Sequence, residues 1–118
     1  MGKNLESIRK QVLDEGIPLQ QVLSEQFPFM KIAIIRGYDN FSCEAYTKGA
    51  YFDETLAREI MAKIPPNGSP KLADNYHIIT TTIKNLNQGT IFDRRTEEPL
   101  DNIDKVSIYT SLRKRLEE

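Results

Sequence analysis

The chain has 118 residues, 39% hydrophobic and 28% charged, which suits one globular domain and excludes a disordered tail. A formal charge of -1 gives the molecule as a whole no attraction for phosphate backbones or anionic lipid, so such binding requires a local patch. The single cysteine, Cys43, excludes an internal disulfide and points to a reducing compartment, the cytoplasm.

Residues 1–28 predict a helical hairpin. Lys3, Glu6, Arg9, Lys10, Asp14 and Glu15 interrupt the first fifteen residues, so they lack the apolar stretch of a signal peptide. Leu5, Ile8 and Val12 recur at helical spacing behind Asn4 as a cap, and Gly16 stands where a helix stops. Pro18 suits a first helical position, followed by the stripe Leu19, Val22, Leu23 and Phe27.

Residues 29–52 predict a first β-hairpin region. Met30, Ile32 and Ile34 alternate with Ala33 and Ile35, a pattern apolar on both faces and expected of an interior strand. This longest apolar run, Ile32 to Ile35, is far shorter than the roughly 20 residues a membrane span needs, so no membrane partner is expected. Asp39 and Asn40 suit a tight turn into Phe41 to Thr47, with Phe41, Cys43 and Ala45 on the buried face. Lys48 and Gly49 offer another turn, and Ala50 to Phe52 reads as a third strand or as the lead-in to a helix.

Residues 53–64 predict a helix capped by Asp53, with Leu56, Ala57, Ile60, Met61 and Ile64 on one face and Pro65 and Pro66 ending it. Pro65 to Asn75 reads as a long surface loop. Residues 76–96 predict a second β-hairpin, because Ile78 to Ile83 are all β-branched and Asn87, Gln88 and Gly89 suit a turn before Thr90 to Thr96.

In residues 97–118, Leu100, Ile103, Val106, Tyr109, Leu112 and Leu116 fit a helix, while Val106, Ile108, Thr110 and Leu112 fit a strand. Asp101 as a cap favours the helix. The expected fold is a single α+β domain, an antiparallel sheet of about four to five strands with flanking helices.

The only histidine, His77, lies beside Asp74 and Tyr76; imidazole suits general-base chemistry, although a lone histidine is more often a surface or edge-strand residue. Cys43 reads as a buried, inert thiol unless a base such as His77 activates it. No nucleophile elbow, phosphate loop, zinc spacing or calcium loop is present in the sequence, so no catalytic residue, metal ligand or cofactor is assigned.

Asp93 and Arg95 are expected on one face of the second hairpin, where they can pair with something polar. Arg94 and Arg95, together with Arg113, Lys114 and Arg115, would make a phosphate-binding patch if the fold joins them. Tyr38, Tyr46, Tyr51 and Tyr76 suit a ligand or protein surface, through their apolar rings and polar tips.

The leading expectation is a small binding or regulatory module that contacts a protein partner, a second copy of itself or a small ligand. Nucleic-acid binding through the arginines is one alternative. A small hydrolase-like enzyme using His77 with Cys43 or a carboxylate is the other.

Overall fold

The computed structural model describes residues 2–65 and 75–118. Most of the expected loop from Pro65 to Asn75, and Asp74 with it, lies outside the described residues. Helix α1 spans Gly2–Arg9 and runs on as a π turn over Lys10–Asp14. Asn4 is therefore inside the helix and does not cap it. Gly16, at φ 73°, ends the segment as its position suggested, because a left-handed residue is cheapest without a Cβ. Helix α2 spans Leu19–Gln26 with Pro18 as its N-cap rather than its first helical residue, so the helix starts one residue later than expected.

Strand β1 (Lys31–Asp39) is central, pairing antiparallel with β2 (Glu44–Tyr51) on one side and β3 (Asn75–Thr82) on the other. Its alternation decides which layer each residue enters. Ile32 and Ile34 join Ile8, Val12 and Leu23 of the N-terminal helices, Ile83 and Leu86, and Ile108, Leu112 and Leu116. Ala33 and Ile35 point to the opposite face, where they meet Tyr51 of β2 and Ala57 of helix α3 (Glu54–Lys63). A sheet sandwiched between helices follows, and each isoleucine so buried stabilises it by about 1.5–3 kcal/mol.

The β1–β2 turn falls later than the sequence suggested. Asp39 Oδ1 accepts the Phe41 amide at 2.8 Å and the Ser42 amide at 3.3 Å, while the Cys43 amide bonds to Asp39 O at 2.8 Å. Residues 40–43 are consumed by this turn, so Phe41 is 81% exposed and Cys43 is exposed at φ 59°, neither on a buried face. Lys48 and Gly49 make no turn. The register instead shifts between Ile35–Gly49 and Arg36–Thr47, a bulge that leaves Lys48 unpaired, and Ala50 and Tyr51 complete the same strand.

Helix α3 has its expected cap, Asp53 Oδ1 accepting the Thr55 amide at 2.8 Å. Leu56, however, is exposed rather than part of its packed face.

The second hairpin does not form. After β3 the chain enters a short helix, α4 (Ile83–Gln88), capped by the Thr82 hydroxyl on the Asn85 amide at 3.2 Å. Ile83 and Leu86, three apart, are both fully buried, and a strand would have sent them to opposite faces. The small strand β4 (Phe92–Asp93) pairs instead with β5 (Glu98–Pro99), a ribbon separate from the three-stranded sheet.

The C-terminal segment is helix α5 (Asn102–Glu117). Asp101 and Asp104 cap each other's backbone amides at its start. Its buried stripe is Ile108, Leu112 and Leu116, whereas Ile103 and Val106 are exposed.

Candidate functional site

Register places Thr47, Arg36 and His77 in one row across β2, β1 and β3. Arg36 keeps to the interior face of Ile32 and Ile34 and is only 1% exposed, so its guanidinium requires partners inside the protein. Its Nε donates to Asp93 Oδ2 at 3.2 Å, and its Nη1 donates to Asp104 Oδ1 at 2.7 Å and Thr47 Oγ1 at 3.0 Å. The Thr47 hydroxyl donates in turn to Asp104 at 2.9 Å. Sheet, ribbon and α5 are thereby joined through one side chain.

Asp93, 1% exposed, receives more donors than Arg36 alone. His77 Nε2 lies 2.9 Å from both carboxylate oxygens, and the Arg95 and Thr96 amides reach Oδ1 at 3.0 and 3.4 Å. Burial alone pushes this carboxyl up. The hydrogen bonds from His77 and Arg36, the His77 charge and the Arg95 amide outweigh burial, and Asp93 ends below its ordinary value of 3.8. An ionised Asp93 has no proton to give, so Nε2 carries the ring proton and neutral His77 keeps its lone pair on Nδ1. Two carboxylates facing one guanidinium are balanced in charge when His77 is protonated.

His77 lies on β3 at the sheet's edge, as the sequence allowed, but it is 8% exposed and engaged rather than a free surface residue. It contributes to the lining of a cleft of about 330 Å³ together with Tyr38, Asn75, Tyr76, Arg95 and Thr96. Thr96 adds a buried hydroxyl oxygen without a protein partner. Arg95 lies in the turn after Asp93 rather than on a strand, because the Asp93 side chain draws its amide back.

Tyr46 and Tyr76 stand on either side of Gly37, and their hydroxyls meet at 3.3 Å. A Cβ on Gly37 would come within 2.5 Å of the Tyr46 ring, so glycine is what lets Tyr46 close over β1. Tyr38 interacts with Cys43: the charge of an ionised thiol and the hydrogen bond to it raise the Tyr38 hydroxyl above 10.0.

No family model matches this chain, and the comparisons with curated proteins and with solved structures gave no match.

The remaining candidates are elsewhere. Tyr51 is buried with the Arg115 guanidinium 4.7 Å from its ring centre, and Arg113 pairs with Glu117 at 3.8 Å. Arg94 is exposed beside Arg95. Arg95 lines the cleft beside His77, whereas Lys114 and Arg115 line a separate cleft with Thr47, Tyr51 and Ser111. Among the described residues, no group of three or more His, Cys, Asp or Glu is placed to hold a metal ion, and no helix is long and apolar enough to cross a membrane.

Arg36, Thr47, Asp104 and Thr96 escaped the sequence reading. Only Arg36 carried a signal, since it extends the alternation of Ile32 and Ile34 into a position that should be buried.

Proposed function

We propose that the chain is a small ligand-binding module of the cytoplasm whose cleft receives one anionic group, a phosphate or carboxylate. The supporting observation is the concentration of donors at one place. Tyr38, Asn75, Tyr76, Arg95 and Thr96 line the cleft, while the nearest buried acid, Asp93, is satisfied by Arg36, His77 and two backbone amides. A volume of about 330 Å³ is at the small end of ligand pockets, roughly 300–1,000 Å³, and suits one functional group rather than a whole polymer. The Arg95 guanidinium supplies a planar fork for two oxygens of such a group.

Sodium sulfate and sodium acetate, followed by amide proton–nitrogen spectra against a sodium chloride control, test this reading. The expected result is saturable shifts at Asn75, Tyr76, His77, Arg95 and Thr96, at least tenfold weaker in Arg95→Ala and unchanged in Arg113→Ala. Shifts scattered without saturation, or equal binding by Arg95→Ala, would refute it.

The 2.9 Å contact between His77 and Asp93 favours a second reading, in which Nδ1 accepts a proton from a bound substrate. The activating carboxylate is in place. The expected thiol partner, Cys43, is exposed in the β1–β2 turn with its Sγ 3.9 Å from Asn40 O, and no hydrogen bond links it to His77. Ester or phosphoester turnover that disappears in His77→Gln while sulfate binding survives would favour this version; an inactive wild type removes it.

A further inference from the structure

We infer that the open edge of β3 pairs antiparallel with the same edge of a second copy, making a closed dimer with a continuous six-stranded sheet. This rests on main-chain geometry and stands independently of the ligand proposal. The Ile83 amide donates to Met30 O at 3.0 Å, which fixes the phase of the β1–β3 ladder. Asn75, His77, Ile79 and Thr81 then bond to β1, and Tyr76, Ile78, Thr80 and Thr82 turn their N–H and C=O groups outward. Thr82 O accepts the Thr81 hydroxyl at 3.5 Å. Among the described residues, the outward groups of Tyr76, Ile78 and Thr80 have no partner.

The two sheet edges differ in how they are guarded. On β2, Ser111 Oγ accepts from the Ala50 amide at 2.8 Å and donates to Ala50 O at 3.1 Å, and the bulge at Lys48 breaks the ladder. On β3, the run from Asn75 to Ile83 contains no Asp, Glu, Lys, Arg, Pro or Gly, which are the residues that normally discourage edge pairing.

A two-fold axis between Ile78 and Thr80 sets Ile78 of each copy opposite Thr80 of the other, and no like charges meet. Because the β2 edge is blocked, pairing ends at two copies instead of growing into a fibre. Phe29, 74% exposed, lines the same cleft as Thr80 and offers the arriving copy an apolar surface beside the seam.

Light scattering over a concentration series, with hydrogen exchange on the same samples, tests the pairing in the full chain. The expected result is twice the chain mass, with Ile78 and Thr80 amides gaining protection as concentration rises. Thr80→Pro removes an outward donor that β1 does not use, and Thr80→Lys places a charge in the seam. Both should weaken the dimer at least tenfold without changing the circular-dichroism spectrum, while Val106→Lys on α5 should leave it intact. A wild type that stays monomeric to its solubility limit overturns the proposal. So does a dimer that ignores both Thr80 substitutions, or one without concentration-dependent protection at Ile78 and Thr80.

Discussion

Arg36 continues along β1 the spacing of Ile32 and Ile34, and burying it there makes Asp93 and Asp104 necessary. Such a network is weak support for stability as a whole but costly to break in part, since each orphaned charge stays in the interior. Asp93→Asn should accordingly destabilise the fold by about 3–5 kcal/mol in urea unfolding, much more than Arg113→Ala at its exposed ion pair. Gly37→Ala should cost about 1–3 kcal/mol, because the new methyl must displace the Tyr46 ring, and it should alter the ultraviolet signal of the tyrosine pair. At this scale, the sequence showed that Asp93 and Arg95 could pair with something polar and, separately, that His77 was the one histidine suited to general-base chemistry. It did not show that His77 and Asp93 touch, because a contact across 16 positions depends on where α4 turns the chain.

Among the elements, the legible ones announced themselves through caps and periodicity. Asp53 starts α3, Asp101 starts α5, Gly16 ends the first helical segment, and the double-sided apolar run marks the central strand. Residues 76–96 failed because β-branching at Ile83 and a glycine after Asn87 and Gln88 read locally as strand and turn. The core decided otherwise, since Ile83 and Leu86 are buried together only on a helix. The exposed Ile103 and Val106 misled in the same way, counted as core by spacing alone. Asp101→Ala should cost about 0.5–2 kcal/mol by removing half of the α5 capping box, and it should raise hydrogen exchange in the first turn of that helix.

Across the whole molecule, one buried cluster couples the sheet, the β4–β5 ribbon and α5, so the protonation of that cluster reaches global stability. Asp93 is depressed in the folded state. Its contribution is fully present above its ordinary value of 3.8 and is lost as pH falls from there toward the folded value. Urea unfolding of the wild type should show that loss on acidification, and Asp93→Asn should show a shallower pH dependence over the same interval. The Asp93 carboxylate holds His77 by Nε2 at the lining of the cleft. His77 is the only histidine in the chain, so a long-range proton–nitrogen spectrum of the imidazole carries one set of ring signals. The predicted spectrum has Nε2 protonated in neutral and charged rings alike, with this preference weakened in Asp93→Ala; a neutral ring protonated on Nδ1 would contradict it.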